Sequence, residues 1–118
     1  MKYMLMFWVD ESAEPSPDEE EAAFMAAVRS WVGEMTERGI LLHGSPLSYA
    51  TEAAIVRVRD GETLVTDGPY AETKEQVGGY DLIECADLGM AVEVAAAHPL
   101  ASTATVEVRP LEDLPGDQ

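Results

Sequence analysis

The sequence predicts an α+β fold in which two helices cover one face of an antiparallel sheet, with an extra β-hairpin. Strand-like and helix-like segments follow one another in the order strand, helix, strands, strand, helix, strand, which is typical of a split βαβ unit. The Asp60-Gly61 pair separates two apolar segments and suits a two-residue hairpin turn. Because the chain has 118 residues and no internal repeat, we expect one domain over residues 1–118.

The first strand and the first helix follow from their apolar patterns. Residues 2–9 are β-rich and apolar on both alternating faces. The helix is predicted from Pro17 to Arg38, and Gly39 is its stop signal. Ser16 and Glu19 have the spacing of a capping box at its start. Its apolar residues form one stripe at helical spacing: Phe24, Met25, Val28, Trp31, Val32 and Met35.

Five further strands and a second helix are predicted in the rest of the chain. Asp87 is expected to cap the helix Leu88–Ala97, which must end before Pro99. The second strand is expected to leave the sheet through a turn at residues 44–46, and residues 111–118 are expected to form a frayed tail. The predicted strands are Ile40–His43, Ala54–Arg59, Glu62–Thr66, Gly79–Cys85 and Thr103–Arg109.

The charge of the chain excludes several classes of partner. Seven Lys and Arg against 23 Asp and Glu give a net charge of −16, which repels nucleic acid and anionic lipid. No apolar run reaches the roughly 20 residues that cross a bilayer. Asp10 and Glu11 interrupt the N-terminal apolar stretch where a signal peptide would continue, and Cys85 is the single cysteine. We therefore expect a cytoplasmic protein that binds neither nucleic acid nor membrane.

The first strand also predicts the assembly. Because it is apolar on both faces, the sheet face opposite the helices needs a cover, and a second copy of the chain would provide it. We therefore expect a homodimer. The polar positions on that face are expected to include Arg57, Glu84, Glu107 and Arg109, as ligand contacts or as salt bridges at the sheet surface.

The segment Asp67–Tyr80 is expected to shape the mouth of a pocket. Asp67 and Gly68 favour a sharp turn and Pro69 lacks an amide donor, so the chain leaves the sheet there. Residues 73–76 have the composition of one helical turn. The candidate ligand contacts in this segment are Tyr70, Lys74 and Tyr80, for which partly buried aromatics and a solvated lysine are the structural alternatives.

The same segment, continued by Asp81–Glu84, resembles the YCII-related proteins of the DGPF-domain type. This resemblance implies a ferredoxin-like α+β fold assembled as a dimeric α+β barrel. Genes of this type often lie beside, or are fused to, those of extracytoplasmic-function sigma factors, so the resemblance also implies a sigma factor as a regulatory partner. Further stretches that support it are Lys2–Leu5, Val56–Gly61, Ala97–Pro99 and Val106–Pro110.

The wider YCII-like group is thought to pair a histidine of the first helix with an aspartate that precedes a proline after the second helix. Here the first helix has no histidine, and His98 occupies the position before Pro99. A rearranged acid–base pair of His98 with Asp67 or Glu84 is therefore one hypothesis, and a helix cap at His98 is its alternative. The histidines and the cysteine have no recognised metal spacing, so no metal or cofactor is predicted.

Three functional hypotheses remain open at this point. The first is a dimeric module that binds a small molecule of unknown identity or mediates an interaction. The second is a lyase or isomerase that uses His98 and a sheet carboxylate as acid and base. The third is a regulatory partner of a sigma factor that docks through its acidic surface.

Overall fold

A computed structural model describes residues 1–116 of the chain. Its elements follow the predicted split βαβ order, with two short 3₁₀ turns at Ala50–Glu52 and Pro99–Ser102. The α+β fold class with one extra hairpin is confirmed. The helices and strands are β1 (Lys2–Asp10), α1 (Asp18–Glu37), β2 (Leu41–Pro46), β3 (Ala54–Arg59), β4 (Glu62–Asp67), β5 (Glu75–Glu84), α2 (Leu88–Ala96) and β6 (Thr105–Pro110).

The main sheet has four antiparallel strands in the order β2-β5-β1-β6, and β3 pairs with β4 in a separate two-stranded sheet. Strand β1 lies inside the sheet, between β5 and β6, so both of its edges are paired. Tyr3, Leu5 and Phe7 point towards the helices and are buried. The alternate residues Met4, Met6 and Trp8 lie on the opposite face, called here the open face, and are partly exposed.

The two helices contribute unequally to the core. Helix α2 buries Ala91, Val94 and Ala95 against the sheet, whereas α1 buries only Trp31 and Met35 from its C-terminal half. The indole N–H of Trp31 donates to the carbonyl oxygen of Val94 over 3.1 Å and so joins the two helices. The N-terminal half of α1 is less tightly packed, and space remains between it and the sheet.

The ends of the helices confirm two predictions and correct one. Asp87 caps α2, because its carboxylate accepts a hydrogen bond of 2.9 Å from the Met90 amide. Gly39 follows α1 with a φ of 72°, as its role as a stop signal predicts. The predicted capping box at Ser16 is wrong: Pro17 occupies the cap position, and no side chain there accepts from the first turn.

Two segments differ from their prediction because β5 and its pairing with β1 and β2 extend further than the sequence suggests. Residues 73–76 do not form a helical turn, since Glu75 and Gln76 already pair with β1. Strand β2 does not turn at residues 44–46, because these residues pair with Gly79, Tyr80 and Asp81.

The hairpin turn at Asp60-Gly61 is confirmed, with φ of 52° and 78°.

The chain after β6 has neither helix nor strand over residues 111–116. The Leu111 amide nevertheless donates to the carbonyl oxygen of Lys2 over 2.9 Å. The last two residues of the predicted frayed tail, 117 and 118, lie outside the described residues. Within residues 1–116, neither helix has the combination of length and apolarity that a membrane span requires.

Replacement of Leu5 by Ala is expected to lower the free energy of unfolding by about 2–5 kcal/mol, because Leu5 is completely buried at the centre of the sheet. Urea denaturation at one fixed protein concentration measures the change. The control is Val92→Ala on α2, whose side chain is 51% exposed and whose loss should change stability by about 0.5 kcal/mol or less. Equal effects of the two substitutions would contradict the assignment of the core.

Candidate functional site

A cavity of about 320 Å³ lies between the stretch of α1 from Phe24 to Val32 and the part of the sheet formed by β2 and β5. Its walls are mostly apolar, and Phe7, Phe24 and Val28 are among the side chains that line it. Two titratable side chains, Asp81 and His98, also face this cavity.

His98 is placed inside the protein by the turn that follows α2. Its backbone is extended, and its side chain is only 6% exposed. The imidazole ring lies 4.5 Å from the ring of Phe7 and 4.6 Å from that of Trp31, measured between centroids. Burial in these surroundings lowers the pKa of His98 to about 4, so the ring is neutral at neutral pH.

The hydrogen bonds of His98 decide which nitrogen carries its proton. Nδ1 accepts a hydrogen bond of 3.0 Å from the Leu100 amide, so the proton of the neutral ring lies on Nε2. Nε2 makes no hydrogen bond within residues 1–116, yet no fully buried side-chain nitrogen or oxygen in that range lacks a partner. Nε2 therefore keeps contact with open space and offers an N–H donor on the cavity side.

Asp81 belongs to β5 and points to the helix side of the sheet. It lies opposite Leu5 of β1 and Gly44 of β2, in line with Gly79 and Ile83. Its carboxyl group makes no hydrogen bond or ion pair with any part of the chain that the structure describes. Burial raises the pKa of this carboxyl to about 6.

Gly44 makes room for the Asp81 carboxyl. A Cβ atom at position 44 would overlap the carboxylate oxygen Oδ1 and crowd the carbonyl oxygen of Tyr80. Any other residue at this position would therefore displace the Asp81 side chain or separate β2 from β5. The absence of a side chain at position 44 is thus part of the site.

An apolar cavity with one N–H donor and one carboxyl group can hold a small molecule through two directed hydrogen bonds. A carboxyl whose pKa lies near neutrality can also exchange a proton with such a molecule. Metal binding has less support, because residues 1–116 contain no group of three His, Cys, Asp or Glu side chains close enough to hold an ion.

The structure places the predicted acid–base residues in different parts of the molecule. His98 faces the cavity, whereas the Tyr80 side chain lies opposite Met6 on the open face, with its ring 5.7 Å from that of His43. Asp67 ends β4 opposite Ala54, and Glu84 is exposed at the far end of β5. Neither of these carboxylates lines the cavity that holds His98.

The other predicted contacts lie outside the cavity. Tyr70 is 74% exposed, and the guanidinium of Arg57 lies 5.6 Å from the centre of its ring. Lys74 borders a shallow groove beside Trp8. Arg109 forms an ion pair with Glu107, one of the salt bridges expected at the sheet surface. The prediction that Arg57 shares this face is wrong, because Arg57 belongs to the separate hairpin of β3 and β4.

Asp81 is the residue that the sequence analysis did not select. The signal in the sequence is a carboxylate two residues from both Gly79 and Ile83. These three positions share the face of β5 that packs on the core, where an apolar residue is expected. A charged residue on such a face is expensive to bury and marks a site. Finding it requires the register of β5, which the motif alone does not fix.

Replacement of Asp81 by Asn is expected to stabilise the protein at about pH 7.5 and to have little effect near pH 3.8 or below. Because the carboxyl pKa is raised from 3.8 to about 6, the folded state keeps a proton that the unfolded state has released between these values. The stability contributed by Asp81 is therefore lost as the pH rises through about 6. Asn cannot ionise, so the gain is roughly 1 kcal/mol after allowance for residual solvent contact.

Urea unfolding of both proteins across this pH range measures the difference. His98 acts in the opposite sense, since its lowered pKa makes stability fall as the pH drops from 6.5 towards about 4. That contribution is common to the wild type and the variant and cancels in the comparison. A difference in stability that does not vary with pH would contradict the buried position of Asp81.

The chain is similar to known proteins both in fold and in sequence. The fold is similar to that of 5-chloro-2-hydroxyhydroquinone dehydrochlorinase from Burkholderia phenoliruptrix AC1100 in complex with 2,5-dihydroxybenzoquinone, with a TM-score of 0.56 over 100% of both chains and 12% identity. An uncharacterized protein of Rhizobium meliloti (strain 1021) is 40% identical over 116 residues, which are 94% of this chain and 92% of that protein. Residues 1–115 match the YCII-related domain. The chain therefore belongs to the YCII-related domain family.

Proposed function

We propose that this protein is a dimeric small-molecule-binding module whose ligand occupies the cavity between α1 and the sheet. One observation carries the proposal: the Asp81 carboxyl and the Nε2–H of His98 face an apolar cavity without a partner among the described residues. Both groups are accessible from the cavity, so a ligand there can form hydrogen bonds with them in place of water.

The size and chemistry of the cavity limit the ligand. A volume of about 320 Å³ holds roughly ten non-hydrogen atoms at the ~30 Å³ that a water occupies. The apolar walls favour a ring or a branched carbon skeleton. His98 requires an acceptor such as a carbonyl oxygen, and ionised Asp81 requires a donor such as a hydroxyl group. We therefore propose a compact hydroxylated carbonyl compound.

The similarity of fold to a dehydrochlorinase supports this class of ligand at the level of analogy. The structure of that enzyme contains 2,5-dihydroxybenzoquinone, a hydroxylated carbonyl compound of comparable size. At 12% identity the likeness concerns the fold, so the argument for the ligand depends on Asp81 and His98 themselves.

The proposed homodimer forms through the open face of the sheet. Met4, Met6 and Leu82 lie on this face and keep part of their surface exposed, and both helices pack on the other side. Burial of such a face against a second copy is favourable because it removes apolar surface from water. The sigma factor as partner and the cytoplasmic location stay predictions.

The geometry of Asp81 favours a second candidate, an isomerase or lyase that transfers a proton. In such an enzyme the Nε2–H of His98 would hydrogen-bond a carbonyl oxygen of the substrate, and the Asp81 carboxylate would remove a proton from the adjacent carbon. The carboxyl would then return this proton to another atom of the substrate. The specific observation is an unpartnered carboxyl with a pKa of about 6 in a cavity.

Calorimetry with 4-hydroxybenzaldehyde tests the proposed small-molecule-binding module. This compound has a hydroxyl donor and a carbonyl acceptor at opposite ends of one ring. Asp81→Asn is expected to weaken binding about tenfold to a hundredfold, because a hydrogen bond to a charged acceptor contributes about 1.5–3 kcal/mol. Gly44→Ala should weaken it as well, since its Cβ displaces the carboxyl. Asp113→Asn, in the exposed C-terminal segment, is the matched control and should bind like the wild type.

Toluene serves as the control ligand, because it fills a similar volume without polar groups. Its affinity should not fall in Asp81→Asn. Equal losses for both ligands would mean that the substitution damages the cavity as a whole, and absence of binding by hydroxylated carbonyl compounds would contradict the proposed ligand class.

Deuterium exchange separates the enzyme from the binder. If the protein transfers protons, it should accelerate uptake of deuterium by 1,2-cyclohexanedione in D₂O, followed by NMR, with a rate that rises through about pH 6 as Asp81 ionises. Asp81→Asn should lower the rate by about a hundredfold or more. Exchange that is equally fast in Asp81→Asn, or no faster than in buffer, would exclude this role for Asp81.

A further inference from the structure

The hairpin of β3 and β4, residues 54–67, stands apart from the four-stranded sheet and is called here the arm. Its two strands pair with each other in register from Ala54 opposite Asp67 to Arg59 opposite Glu62. Three valines lie on one side of the arm and form its valine face. Val56, Val58 and Val65 are 60%, 58% and 63% exposed. An isolated two-stranded hairpin is marginally stable in water, so an apolar face of this kind needs a cover.

The other side of the arm faces its own chain in part. Ile55 lines a groove of about 670 Å³ together with Trp8 and Tyr70, whereas Leu64 on the same side is 45% exposed. The guanidinium of Arg57 lies over the ring of Tyr70. The valine face points away from these residues.

The surface area of the chain indicates how much is left uncovered. The chain exposes 8471 Å². A compact monomer of 12.8 kDa is expected to expose about 6,300 Å², so the surplus is about 2,200 Å². Obligate homodimers bury roughly 1,000–2,500 Å² per copy. The radius of gyration, 16.7 Å, likewise exceeds the ~13.5 Å expected for this length.

The distribution of charge favours a second copy as the cover. The arm has two arginines and three acidic residues, so it is nearly neutral. The rest of the chain has five basic and 20 acidic residues and repels another copy of itself. The arm is therefore a part of the molecule that a second acidic copy can approach at low electrostatic cost.

We propose that the arm reaches across to a second copy of this chain and buries its valine face there. The proposal rests on the homodimer put forward above and adds its anchoring element. The arm extends the contact beyond the open face of the sheet. A two-fold dimer contains this contact twice, since each copy both gives and receives an arm.

Sedimentation equilibrium between about 1 and 100 µM tests the proposal with Val56→Glu/Val65→Glu. The wild type should have twice the mass of a 12.8 kDa chain. The double variant should dissociate at least a hundredfold more readily, because two unpaired carboxylates would enter the contact. Val92→Glu places the same charge on α2 at a valine that is 51% exposed, and it should remain dimeric.

The masses of the wild type and the double variant distinguish the homodimer from the arm contact. A monomeric wild type would overturn both the homodimer and the arm contact. A dimeric wild type with an equally stable Val56→Glu/Val65→Glu dimer would overturn the arm contact alone. If the double variant does not fold, hydrogen exchange of the wild-type arm is measured instead. Protection of the β3 and β4 amides should rise with protein concentration. Protection that is independent of concentration would overturn the proposal.

Binding of 4-hydroxybenzaldehyde by the monomeric variant tests the cavity separately.

Discussion

The packing of Trp31 determines most of what is distinctive in this structure. Its indole N–H reaches the carbonyl oxygen of Val94, so it fixes the C-terminal half of α1 to α2. The same ring packs edge-on against His98 and helps to keep that imidazole buried and neutral. The cavity lies beside this contact, along α1 from Phe24 to Val32. One buried aromatic side chain thus joins the two helices and packs against the histidine of the cavity.

The two functional groups of the cavity reach it by different routes. His98 arrives from a turn, where Pro99 and the hydrogen bond from Leu100 fix the ring. Asp81 arrives from the sheet, where Gly44 on the neighbouring strand leaves space for the carboxyl. The apolar surroundings shift the two pKa values towards the neutral forms, downwards for the histidine and upwards for the aspartate. The site therefore presents a donor and a carboxyl group close to ionisation, instead of a salt bridge.

Local patterns in the sequence were sufficient for the order of the elements, the Asp60-Gly61 turn and the Asp87 cap, because each depends on residues that are close in the chain. The Ser16 capping box failed because Pro17 occupies the cap position itself. The sequence does not predict Asp81 as a site residue, because the face of the sheet that its side chain occupies depends on the register of β5 with β1 and β2. The pairing with β1 includes an irregularity between Phe7 and Trp8. His98 was identified from its position before Pro99, but its burial depends on Phe7 and Trp31, which are far away in sequence.

An NMR titration of the Asp81 carboxyl carbon and the His98 ring nitrogens tests the central claim most directly. Both groups face an apolar cavity, and neither has a partner among residues 1–116. We therefore expect an Asp81 pKa of about 6, a His98 pKa of about 4 and a neutral ring protonated at Nε2. Values of 3.8 for Asp81 and 6.5 for His98, as in solvated side chains, would show that the two groups are not enclosed and would contradict the proposed site.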